Sequence, residues 1–152
     1  NAALKLPGPN RGLVFVEENL GTPNTAAMRA AREFESGTSG AYSYTPTQNR
    51  VVPALRFDNP DGVNLVRFDG YEGAGGGVTA LIDAKTRIVP FETRTGPFIS
   101  DSVRRGLLAR SRAIAQNPGY TGVIELGDEA AAREARQVLR QLGITNLKVR
   151  VR

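Results

Sequence analysis

The sequence predicts a mixed α/β sandwich, with a central β-sheet of mixed direction flanked by helices. Three observations predict it. The second half of the chain alternates helix, strand, helix and strand patterns, which implies parallel strands joined by right-handed crossovers. The segment "VVPALRFDNPDGVNLVRFDG" sets two apolar runs on either side of Asn59-Pro60-Asp61-Gly62, a strong turn, and so implies an antiparallel hairpin. The 152 residues, 40% of them hydrophobic, suffice for one domain with a buried core.

The elements follow in order. "GLVFVEEN", Gly12 to Asn19, reads as a strand. After the turn "LGTPNT", Asn24 or Thr25 caps a helix over Ala26 to Glu35, which Gly37 and Gly40 stop. "AYSYTPTQNR" is a polar loop with an extended piece around Tyr42 to Tyr44. The hairpin strands are Val51 to Asp58 and Val63 to Asp69. Glycines 73, 75, 76 and 77 lead into a third strand, Val78 to Val89. "SDSVRRGLLARSRAIAQNP" is a helix capped by Ser100 or Asp101, and "YTGVIEL" a buried strand. "DEAAAREARQVLRQLG" places acid at its start and arginine later, as the helix dipole favours. "NLKVRVR" alternates strictly and closes the chain as a strand. No internal repeat or linker divides this single domain, of which residues 1–24 are an N-terminal extension and first strand. The chain opens on Asn1 rather than Met, which reads as a piece of a longer protein.

Composition narrows the chemistry. There is no cysteine and no histidine. Thiol catalysis, Ser-His-Asp catalysis and Cys- or His-ligated zinc are therefore excluded. Any reaction must run on carboxylates, lysine, arginine and hydroxyls. The net charge is +5, with 20 Lys plus Arg against 15 Asp plus Glu. Arginine excess suits a phosphate-bearing partner, because its planar fork grips phosphate oxygens, although charge alone is equally that of a basic surface. No apolar run approaches the roughly 20 residues of a membrane span.

The charged residues of "FDGYEGAGGGVTALIDAKT" point to a site. Along the third strand Leu81, Asp83 and Lys85 share one face; along the second, Leu65, Arg67 and Asp69 do. Their pairing sets Asp69 beside Asp83, with Lys85 one step further. Two adjacent carboxylates repel unless a cation sits between them, and an oxygen-preferring divalent ion, Mg²⁺ or Mn²⁺, is the natural one. Lys85 can then hold or activate a water against a phosphodiester. On the first helix, Ala27, Met28, Ala31 and Phe34 form the apolar arc. Glu35 falls within that arc and Glu33 outside it, so Glu35 is the third candidate ligand. Glu125, mid-strand, needs a partner; a structural ion pair is the expectation, and completion of the site the alternative.

Asp69, the Asp83-Ala84-Lys85 triplet and the Glu-bearing helix resemble the PD-(D/E)xK nuclease superfamily, the restriction-endonuclease fold. More narrowly, "REFESGTSGA", "VRFDG", "LIDAKT" and "ELGDEAAAREARQVLRQLGITNLKVRV" look like the nuclease toxin domains at the C-termini of bacterial polymorphic toxins. The likeness runs from about Ala26 to the end. It implies a restriction-endonuclease-like sandwich, metal-dependent cleavage of DNA, delivery from the producing bacterium into the cytoplasm of a rival, and a cognate immunity protein. With the +5 charge, that partner is expected to be acidic. Asp69, Asp83 and Glu35 are the implied metal ligands, and Lys85 completes the catalytic set.

Phosphate contacts are sought nearby. Val103, Leu107 and Ile114 face inward on the second helix, while Arg105, Ala109, Arg112 and Gln116 line an outer stripe. Arg87 and Arg94 lie near the end of the catalytic strand, where substrate would pass. An ordinary solvated face reads from the same residues. The glycines and Lys85-Thr86 do not make a phosphate-binding loop, because Gly does not directly precede Lys and no helix follows. Two other readings stand: a tRNA-cleaving toxin of the same fold, and a non-catalytic nucleic-acid-binding domain whose affinity falls with salt and ignores metal.

Overall fold

The computed structural model describes residues 8–19, 21, 23–40, 49–73, 77–86, 88, 91–93 and 96–152. The elements are β1 (Leu13–Asn19), α1 (Ala26–Ser36), β2 (Asn49–Arg56), β3 (Leu65–Arg67), β4 (Gly70–Glu72), β5 (Ala80–Lys85), β6 (Phe91–Thr93), β7 (Gly96–Phe98), α2 (Asp101–Gln116), β8 (Thr121–Leu126), α3 (Glu129–Gln141) and β9 (Leu147–Val151). The expected piece around Tyr42 to Tyr44 lies outside the described residues. The chain is mixed α/β, as its alternation implies.

The single central sheet of the sequence reading is replaced by separate sheets. One is the antiparallel β1-β2-β3, the second the mixed β4-β5-β8-β9, and β6-β7 is a small hairpin. The second half behaves as expected, since β5, β8 and β9 run parallel. The strand expected over Val63 to Asp69 is shorter: only Leu65–Arg67, β3, forms it and pairs with β2. Just beyond the expected strand, β4 pairs with β5 in the other sheet. The cause is a long-range contact: the turn after α1 lies over the chain here. Tyr71 N donates to the Ser39 carbonyl at 2.8 Å. A Cβ at Gly70 would collide with that same carbonyl and with the Thr38 methyl. Only glycine permits the crossing. The third strand also stops at Lys85 rather than Val89, because its partner β8 ends at Leu126, opposite Lys85.

The helix starts use the residues the sequence offers. Thr25 Oγ1 accepts from Met28 N at 3.0 Å, Ser100 Oγ from Val103 N at 3.2 Å, and Asp128 Oδ1 from Ala131 N at 2.8 Å. Leu55, Phe57, Phe68, Leu81, Leu107, Ile124 and Leu126 fill one core beneath α2 and α3. The helix α1 is attached differently: none of its residues is fully buried, and Met28 of the expected apolar arc is exposed. Polar contacts at its C-terminal end hold it, as described below. No helix among the described residues is long and apolar enough to cross a membrane.

Candidate active site

The centre of β5 supplies the first carboxylate. Asp83 is 2% exposed and shares its side of the sheet with Leu81, Lys85 and, across the parallel ladder, Ile124. The Lys85 Nζ stands 3.5 Å from Asp83 Oδ2. Asp69 lies in the step between β3 and β4, so strand parity is not what places it. Hydrogen bonds to the β5 backbone on either side of Asp83 place it instead. Its own N–H donates to the Ile82 carbonyl at 2.7 Å, and its Oδ2 accepts from Ala84 N at 2.8 Å.

Two arginines that the sequence reading passed over complete the cluster. Arg110 Nε stands 3.5 Å from the same Asp83 Oδ2, its guanidinium lies 5.7 Å from the Phe68 ring centre, and its Nη1 donates to the Gly106 carbonyl. Its spacing held the signal: 103, 107, 110 and 114 make one helical face, so Arg110 turns inward with Leu107 and Ile114. Arg50 is 7% exposed and meets three carboxylates. The distances are 2.7 Å to Asp69, 2.8 Å to Glu18 and 3.3 Å to Glu35. Its signal was parity on β2 with Val52 and Ala54, both fully buried. Glu18 faces Arg50 directly across the β1–β2 ladder.

Glu35 points toward the cluster while Glu33 is exposed, as the helical wheel predicts. It is turned onto Arg50 and joins the aspartates through that guanidinium. Glu35 and Lys85 each leave 27% of the side chain exposed, so the cluster opens to solvent on their side.

The electrostatics divide the two aspartates. Burial, then the neighbouring charges of Asp83 and Glu35, push the Asp69 carboxyl up to about 7 against the pull of Arg50 and the Ala84 N–H. Burial acts on Asp83 in the same sense, but Arg110 and Lys85 outweigh it, and hydrogen bonding with Asp69 adds to the lowering. The two carboxyls therefore titrate as a pair, Asp69 the member pushed up and Asp83 the member held down. Asp83 has two cations largely to itself, whereas Asp69 divides Arg50 with Glu18 and Glu35. Burial also raises Glu35, against Arg50 and Lys85.

One atom bears on whether a metal fits. Asp83 Oδ2 is buried with no hydrogen-bond partner, and Arg110 Nε is likewise unmet. Both cations attract this oxygen from 3.5 Å without closing a hydrogen bond on it. Among the described residues no cluster of three or more His, Cys, Asp or Glu side chains is gathered as a ligand set. A magnesium-like ion needs no such cage, because it keeps several waters and takes one or two carboxylates plus substrate phosphate oxygens. Asp69 and Asp83, with one open oxygen, fit that requirement.

The remaining candidates lie apart. Arg105 pairs with Asp101 at 3.1 Å and Arg112 with Asp61 at 2.7 Å, both on an exposed face of α2. They line a groove of about 650 Å³ between that helix and the β2–β3 turn, together with Arg104, Leu65 and Leu108. Arg87 and Arg94 lie outside the described residues. Glu125 faces the opposite side of the sheet from Asp83 and forms an ion pair with Arg150 and Arg152.

Compared with known proteins, the chain matches no family model, no curated protein and no solved structure.

Proposed function

We propose that the protein is a metal-dependent nuclease that hydrolyses phosphodiester bonds, with DNA as its substrate, and acts as an antibacterial toxin domain. The observation that carries the reading is the buried Asp69–Asp83 pair, with Lys85 3.5 Å from an Asp83 oxygen that no hydrogen bond satisfies. A buried acid left open in this way costs stability, and sites that do chemistry are where such costs recur. The toxin role, delivery to the target-cell cytoplasm and the acidic immunity protein rest on the sequence resemblance and the +5 charge.

Asp69 and Asp83 would hold Mg²⁺ or Mn²⁺, with Glu35 at the solvent side. Such an ion supplies Lewis-acid charge at the scissile phosphate and helps activate the attacking water. The chain's own groups do the rest. Lys85, partly exposed beside Asp83, orients the water and offers positive charge to the pentavalent transition state. Arg110, fixed by the Gly106 carbonyl and the Phe68 ring, holds the Asp83 side chain in place. Arg105 and Arg112 flank a groove that can take the phosphate backbone.

A second reading is favoured by Arg50, whose guanidinium already sits against three of the site's acids, Glu18, Glu35 and Asp69. It is a nucleic-acid-binding domain without metal or catalysis. One assay separates the two. Plasmid DNA, single-stranded DNA and total RNA are incubated with Mg²⁺, with EDTA and with the Asp83→Ala protein. Metal-dependent loss of DNA, absent in the variant, is expected; loss of RNA alone would make the protein an RNase. Binding that falls with salt and leaves every substrate intact would favour the second reading.

A further inference from the structure

Arg50 is the least expected member of the cluster, and its geometry has a consequence for cation binding. Its side chain is 9% exposed, so water does little to screen it. It is anchored by Glu18, which accepts from Nε at 3.0 Å and stands 2.8 Å from Nη2. From that anchor it also bonds Asp69 Oδ1 at 2.7 Å and stands 3.3 Å from Glu35. The other Asp69 oxygen is taken by the Ala84 N–H. Both oxygens of the one carboxylate are thus engaged. Any second cation approaching Asp69 or Glu35 does so within a few ångströms of a fixed positive charge.

We infer that Arg50 is the site's built-in counter-ion and competes with a divalent cation for Asp69 and Glu35. This rests on the metal-dependent reading above. The β1–β2 ladder makes the competition workable, because Glu18 lies directly opposite Arg50 and can retain it when Asp69 is given up. The site is therefore held together without metal, and binds metal more weakly than its carboxylates alone would allow. Asp83 stands outside the competition: its cations are Lys85 and Arg110.

The test is a calorimetric titration of metal-stripped protein with Mn²⁺, read as affinity rather than activity. Wild type, Arg50→Gln, Arg50→Lys and Asp83→Asn are compared, with circular dichroism to confirm folding. Removing a buried unit charge within about 4 Å of the ligands is expected to tighten Mn²⁺ binding at least about tenfold in Arg50→Gln. Arg50→Lys keeps the charge but loses the fork that grips three partners, and is expected to fall between. If Arg50→Gln does not fold in EDTA, Arg50→Lys provides the comparison. Equal or weaker binding in the Arg50 variants, with wild-type binding intact and lost in Asp83→Asn, overturns the counter-ion role and leaves the nuclease reading standing. Absence of Mn²⁺ binding in wild type and variants alike overturns both.

Discussion

Two buried acids sit on adjacent strands of one sheet, Asp83 on β5 and Glu125 on β8, and they are treated in opposite ways. The ladder pairs Glu125 with Ala84, so the two acids point to opposite sides. Glu125 is 5% exposed and both its oxygens are met, Oε1 by Arg152 Nε and Oε2 by Arg150 Nε, each at 2.8 Å. The arginines reach on: Arg150 to Glu72, and Arg152 to Thr38 Oγ1, the Phe34 carbonyl and the Phe34 ring. This closed network ties the otherwise lightly packed end of α1 to the sheet. Asp83 is buried as deeply, yet its cations stand at 3.5 Å and one oxygen has no hydrogen bond. A group whose task is structural closes its hydrogen bonds; one kept for chemistry can leave an oxygen open.

The sharpest way to break this contrast is to exchange the outcomes of substitution. Asp83→Asn keeps the shape of the side chain and removes its charge. Cleavage should fall by roughly 10³-fold or more, the scale of losing a catalytic electrostatic contact, while the melting temperature changes little. Lys85→Ala should likewise abolish cleavage and keep the fold. Unchanged cleavage in either variant, measured on folded protein, would remove the site assignment.

Glu125→Ala should do the reverse. Removing one partner of a buried ion pair costs about 3–5 kcal/mol, but Arg150 and Arg152 are partly exposed and can rehydrate. A loss of about 2–3 kcal/mol in denaturant unfolding is expected, at or below the low end of that range. Cleavage per folded molecule should persist. If Glu125→Ala abolished cleavage without loss of stability, Glu125 would belong to the chemistry and the contrast would fail.

Titration distinguishes the aspartates further. The folded protein keeps the Asp69 proton up to about pH 7, against an ordinary value of 3.8. In that window the folded state binds more protons than the unfolded chain. Asp69's contribution to stability is thus whole below about pH 4 and is lost as pH rises through about 7. In EDTA the melting temperature of the wild type should fall between pH 5 and pH 8, by no more than a few kcal/mol in free-energy terms. Asp69→Asn should flatten that fall; an equally steep one in the variant would place the titration elsewhere.

Much of this was legible in the sequence because it is local. Parity along β5 put Asp83 and Lys85 on one side, the capping residues marked the helix starts, and the wheel turned Glu35 rather than Glu33 toward the sheet. The split between β3 and β4 was not legible, because it depends on the Ser39 carbonyl lying over Gly70 from a distant turn. Arg50 and Arg110 were hidden for a different reason. A buried arginine is exceptional without partners, and its partners here come from other elements that only the fold assembles. The 3.6 and 2.0 periods nevertheless mark both positions as inward, so a cation at a core position is the signal to follow.

The smallest effect concerns the α2 groove. Arg112 is 41% exposed on its side chain and paired with Asp61, a surface ion pair worth at most about 1 kcal/mol. Arg112→Ala should therefore leave unfolding unchanged. If the groove takes the phosphate backbone, DNA affinity should fall uniformly across sequences, and the slope of log affinity against log salt should drop by about 1. Arg105→Ala, on the same face, should behave alike. Measuring both slopes on the Asp83→Asn protein, which should bind without cutting, keeps cleavage from distorting the result. An unaltered slope in both variants would return this stripe to an ordinary solvated face, with recognition left to groups around Lys85 and Glu35.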